Sequence, residues 1–76
     1  MTTVNVLLDT VDKVKGFVNT VAPLEGDIDL GADRYIVDAK SIMGIFSLDL
    51  GKPLKVTIHN AETAERLVPL LKAYTV

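Results

Sequence analysis

The chain has 76 residues, enough for one small domain spanning residues 1–76 and not for two. Its composition is that of a globular domain, 49% hydrophobic and 24% charged, and a net charge of −2 gives no electrostatic basis for capturing nucleic acid or an anionic membrane. Cysteine is absent, which excludes disulfides, thiolate metal sites and cysteine nucleophiles together.

No basic-then-apolar opening and no apolar run of ~18 residues is present, so the expected compartment is the cytoplasm, away from membranes. Thr3–Leu8 carries β-branched residues in near alternation and predicts a first strand. Asp9 or Thr10 can then cap a helix. From Val11 the period changes. Val11, Val14, Val18 and Val21 fall at helical spacing, Phe17 widens the stripe, and Asp12, Lys13, Lys15 and Asn19 face away. Gly16 costs that helix roughly 1 kcal/mol relative to alanine, so packing has to support it. Pro23 helps to end it.

Asp27–Leu30, Gly31–Asp33 and Arg34–Asp38 predict a hairpin with a short glycine-containing turn. Ser41–Ser47 is too short and too unevenly patterned for a strand; with Ser41 as cap it fits about one and a half helical turns. Gly51-Lys52-Pro53 marks a turn. Leu54–His59 alternates again, with Val56 and Ile58 on one face and Lys55, Thr57 and His59 on the other. Asn60 caps a last helix whose apolar residues include Ala64, Leu67, Val68 and Leu71, and Pro69 is expected to kink or end it near Leu67. The order β-α-β-β-α-β-α predicts an α+β domain.

The run Asp38-Ala39-Lys40-Ser41-Ile42-Met43-Gly44-Ile45-Phe46-Ser47-Leu48 closely resembles the second signature of HPr-type phosphocarriers of the bacterial sugar phosphotransferase system. In that family a serine caps a short helix within a KSIMG run. The likeness extends without gaps from Asp27 through the hairpin to Ile58. It implies an HPr-like open-faced sandwich: a four-stranded antiparallel sheet of order 1-4-2-3 with three helices on one face. HPr proteins also carry Gly-Ile-His-Ala-Arg-Pro between strand 1 and the first helix, and that histidine takes phosphate from phosphoenolpyruvate through enzyme I. In register those positions fall on Leu8, Asp9, Thr10, Val11, Asp12 and Lys13. Thr10 thus stands at the histidine position and Asp12 at the arginine position. A first strand running to Leu8 would shorten the loop as well.

These replacements imply that no carrier function operates there. A phosphothreonine is a stable ester that cannot pass its phosphoryl group onward, and Asp12 would repel a phosphate of about −1.5 to −2 charge. The resemblance leaves Ser41 as the candidate phosphorylation site, since the equivalent serine of some HPr proteins is modified by a dedicated kinase. A phosphate there would meet free N–H groups at the helix start, while the plain role of Ser41 is an N-cap worth about 1 kcal/mol. Ile42, Met43, Ile45, Phe46, Leu48 and Leu50 are more apolar side chains than so short a helix can turn inward. Ile42, Met43, Ile45, Phe46 and Leu48 are therefore the expected partner-binding residues. His59 reads as a surface histidine, and Asp27 and Asp29, about 7 Å apart on one strand face, as solvated outward positions. One histidine without cysteine predicts no metal site, and no cofactor is expected.

The resulting expectation is a non-enzymatic, cytoplasmic protein-binding module docking through the Ser41–Leu48 helix. By resemblance its partners would be an HPr kinase, a transcriptional regulator or phosphotransferase proteins, and its role the regulation of carbon metabolism. The alternative is a phosphocarrier component of the phosphoenolpyruvate-dependent system, using His59 or another subunit.

Overall fold

The computed structural model describes residues 1–32 and 34–76. Its elements run β1 (Thr2–Val6), α1 (Val11–Val21), β2 (Ile28–Ala32), β3 (Tyr35–Asp38), α2 (Ile42–Phe46), β4 (Leu54–Ile58) and α3 (Ala61–Leu70). The strands form one antiparallel sheet of order β1-β4-β2-β3, so β4 enters between β1 and β2. Strand alternation sorts the two faces. Val6, Leu54, Val56, Ile58, Ile28 and Leu30 are buried beneath the helices with Val14, Phe17, Val21, Ile45, Leu67 and Leu71. Each such side chain removed from water contributes roughly 1.5–3 kcal/mol, against a large ordering cost in so small a domain. Thr3, Asn5, Lys55, Thr57, Asp29, Gly31, Ile36 and Asp38 alternate with them on the opposite, open face.

Three element boundaries differ from the sequence expectation by two residues or more. β1 stops at Val6, not Leu8, because Val6 pairs with Leu54 and the next position on β4 is Pro53, which has no N–H to continue the ladder. Leu8 is still fully buried. Residues 7–10 form the connection to α1, so the shortened loop implied by a longer strand does not occur. Gly31 and Ala32 belong to β2, paired with Ile36 and Tyr35, instead of to the hairpin turn; Asp33, the rest of that expected turn, lies outside the described residues.

The third difference is at Pro69. It neither kinks the chain out of helix nor ends it at Leu67: α3 runs on to Leu70. Proline deprives only one carbonyl of its partner, and Leu71 N–H then donates to Leu67 O at 3.0 Å. With Leu67 and Leu71 both fully buried, core packing carries the helix across the gap. Beyond α3 the chain returns to the sheet: Thr75 forms a bridge with Val6, and Val76 N–H donates to Asn5 O. Tyr74 lies edge-on to Phe17, ring centroids 6.3 Å apart, with its hydroxyl over Gly16. A β-carbon at Gly16 would meet that hydroxyl and require the end of the Tyr74 side chain to shift.

Candidate functional site

Two helix N-termini carry the sequence-predicted site residues. At the start of α1, Thr10 Oγ1 accepts from Lys13 N–H at 3.1 Å. Thr10 and Asp12 are exposed. Lys13 Nζ donates to Asp9 Oδ1 at 2.9 Å, and that hydrogen bond holds the Asp9 carboxyl below the usual carboxylate range. The end therefore presents a capping hydroxyl between two carboxylates, with the one first-turn ammonium already committed to Asp9. An anion approaching this end meets both carboxylates as well as the favourable helix N-terminus.

At the start of α2, Ser41 Oγ accepts from Gly44 N–H at 3.2 Å, and Ser41 N–H donates to Asp38 O at 3.0 Å. Asp38 Oδ1 in turn accepts from Lys40 N–H, while Lys40 Nζ reaches back to Leu24 O. The helix thus hangs between the end of β3 and the segment after α1. Gly44 lets it settle closely: a β-carbon there would sit 3.2 Å from Val37 Cβ and 3.3 Å from Ser41 Oγ. Ser41 is half-buried and fully engaged as a cap.

The expected partner surface divides. Met43 is 78% exposed and Phe46 42%, and Ile42 is half-buried. Ile45 and Leu48 are core residues and cannot meet a partner, correcting their assignment to the surface. The reason is periodicity: position 45 points toward α1 and the sheet, and Leu48, just past the helix, turns in to the same core. Met43 and Phe46, three apart, share the outward side.

His59 stands on the open face, beyond the sheet from all three helices. Its Nε2 lies 2.8 Å from Asp29 Oδ2. Both lie outward as the sequence implies, and antiparallel pairing of β2 with β4 brings them together across thirty positions, a contact no local pattern shows. Asp27 is exposed and its carbonyl accepts from His59 N–H at 3.2 Å. The pair borders a shallow depression of about 410 Å³ that also includes Thr3, Thr57, Lys55, Gly31, Ile36 and Met1. Among the described residues no three histidine, cysteine or carboxylate side chains converge as metal ligands.

No protein-family profile and no curated protein matches the chain. A solved structure does: HPr-C-His from Thermoanaerobacter tengcongensis is 28% identical over 96% of this chain and 93% of its own, with a TM-score of 0.76. The fold is HPr-like. The sheet order and the alternation of helices and strands agree with it throughout. Among the described residues, no helix is long and apolar enough to cross a membrane.

Proposed function

We propose that this chain is a non-enzymatic, cytoplasmic protein-binding module of the HPr type, which docks partners through the outward side of α2 and carries no phosphoryl group at Thr10. The observation supporting docking is Met43 and Phe46, exposed side by side on a helix whose other apolar side chains are anchored in the core. A flexible thioether beside an aromatic ring suits an adaptable contact. By the sequence resemblance, Thr10 takes the position of the HPr histidine and Asp12 that of its arginine. Ser41 is the candidate switch. A phosphate on its oxygen would displace the Gly44 N–H cap contact with a stronger charged one while adding two negative charges beside Met43.

Incubation with an HPr kinase and ATP, followed by peptide mapping, tests the switch, with Ser41 labelling expected. If Ser41 stays unlabelled beside a labelled HPr control, the switch is wrong. Docking is tested by titrating HPr kinase against isotope-labelled protein: the Met43→Ala and Phe46→Ala variants should each weaken binding. Unchanged binding by both removes the docking reading.

One observation favours a second reading, a phosphocarrier using His59. Asp29 holds the ring through Nε2, which leaves Nδ1 as the nitrogen that would take a phosphoryl group. Enzyme I with phosphoenolpyruvate distinguishes the two. Acid-labile phosphate on His59 would establish the carrier reading, and its absence is expected of the binding module.

A further inference from the structure

The two edges of the sheet are treated differently by the chain. At β1 the C-terminal residues take two outward backbone groups: Asn5 O accepts from Val76 N–H and Leu7 N–H donates to Tyr74 O. At β3 only Asp38 O is taken, by Ser41 N–H. Ala39 N–H donates to Ile28 O, so by antiparallel alternation Val37 and Tyr35 also turn their backbone groups toward β2, while Ile36 and Asp38 turn theirs to the free edge. Among the described residues no backbone group pairs with the N–H or C=O of Ile36 or with the N–H of Asp38. The edge has neither proline nor bulge, its only guards being its four-residue length and the charge of Asp38, and its side chains Tyr35 and Ile36 are 71% and 72% exposed.

We propose that β3 pairs antiparallel with β3 of a second copy, about a two-fold axis through Ile36. Side-chain alternation permits only registers that set outward residues opposite outward ones. Among these, the register centred on Ile36 sets Ile36 against Ile36, Tyr35 against Val37 and, with pairing extended by one residue beyond β3, Arg34 against Asp38. It makes the interface self-complementary in charge, twice over, because the dimer repeats each Arg34–Asp38 pair. It also uses the free N–H and C=O of Ile36 and the N–H of Asp38 in the ladder, Asp38 O already accepting from Ser41 N–H. Within one copy, Asp38 faces the like charge of Asp29 across the β2–β3 pair. Asp29 has His59 as its partner, and Asp38 would gain a cation only from the second copy. A four-residue edge buries far less than the ~1,200 Å² of a standard stable interface, so the dimer is weak and concentration-dependent.

Sedimentation equilibrium from about 10 µM to about 1 mM, a range chosen for an interface below standard size, should give a monomer–dimer equilibrium. Ile36 amide exchange should slow as concentration rises. Arg34→Asp and Asp38→Arg, each alone, place like charges at both contacts and should weaken association about tenfold. An equimolar mixture of these two variants restores both opposite-charge contacts and should associate as the parent does, as should the R34D/D38R double variant. Far-UV circular dichroism of each single variant checks that it remains folded; mixing then reads the interface itself. A monomer at every concentration overturns the proposal. So does self-association unchanged in both single variants, or a mixture no tighter than its components.

Discussion

Helices α1 and α2 begin with the same device and depend on it very differently. Thr10 and Ser41 each accept a hydrogen bond from the backbone N–H three residues on. Yet α1 has eleven residues and buries Val14, Phe17 and Val21, while α2 has five and buries only Ile45. A helix of one turn and a fraction has few internal hydrogen bonds to offset its nucleation cost. It must be held from outside, by Ile45 in the core, by the cap at Ser41 and by the close seat of Gly44 on Val37. The long helix builds the core, whereas the short one is fastened to it. That leaves Met43 and Phe46 of α2 free for contacts beyond the domain.

The largest test of this contrast is truncation in the core. Phe17→Ala should cost about 3–5 kcal/mol, because Tyr74 loses its edge-on partner and the helix its main anchor. In a domain this small that removes much of its total stability. Ile45→Ala should cost about 2–4 kcal/mol. Urea titration followed by circular dichroism measures both. The contrast fails if Ile45→Ala is nearly neutral, since α2 would then not be held by the core.

Glycine replacement sharpens the same point at smaller scale. Gly16→Ala gains helix propensity and displaces only the hydroxyl end of Tyr74, so its net effect should lie within about 0.5 kcal/mol of zero. Gly44→Ala forces the new methyl against Val37 Cβ, on a stiff β-branched side chain, and against the capping oxygen itself. It should destabilise by about 1–2 kcal/mol despite the better propensity. Equal effects of the two substitutions would mean that α2 shifts freely on the sheet.

Cap removal comes next. Thr10→Ala and Ser41→Ala should each cost about 1 kcal/mol. Their distribution should differ. Loss of the Thr10 cap should fray the first turn of α1, whereas loss of the Ser41 cap should raise amide exchange throughout residues 44–48. Hydrogen exchange read residue by residue separates the outcomes, and protection of 44–48 unchanged in Ser41→Ala would refute the dependence of α2 on its cap.

Local signals in the sequence located the caps Ser41 and Asn60, narrowed that of α1 to Asp9 or Thr10, and supplied the type of every element and, with the resemblance to HPr, the strand order. Period and capping are short-range properties, and they survive folding. What the sequence did not disclose is set by contacts between distant segments. The end of β1 is decided by Pro53 on another strand, and the continuation of α3 past Pro69 by the burial of Leu67 and Leu71. Ile45 and Leu48 lie within the same apolar run as Met43 and Phe46, so composition could not divide core from surface; only the direction of each side chain does. The Asp29–His59 contact and the cover of Tyr74 over Gly16 join residues that no local pattern links. For the candidate site, residue types were legible but exposure was not.

The smallest effect belongs to the Asp9–Lys13 pair, present at α1 and without counterpart at α2. The hydrogen bond from Lys13 lowers the folded-state pKa of Asp9 below its unfolded value. Its contribution is therefore complete above the unfolded carboxylate pKa and disappears as pH falls through the lower, folded one. Lys13→Met removes the ammonium and keeps much of the stem, so Asp9 should titrate as an ordinary exposed aspartate. The difference in stability between parent and variant should be small at neutral pH, because both groups are solvent-exposed, and should shrink further with acidification. Denaturation midpoints at several pH values, with Lys15→Met as the comparison on the same helix, give the measurement. A difference that grows as the pH is lowered would mean that Lys13 acts on some group other than Asp9.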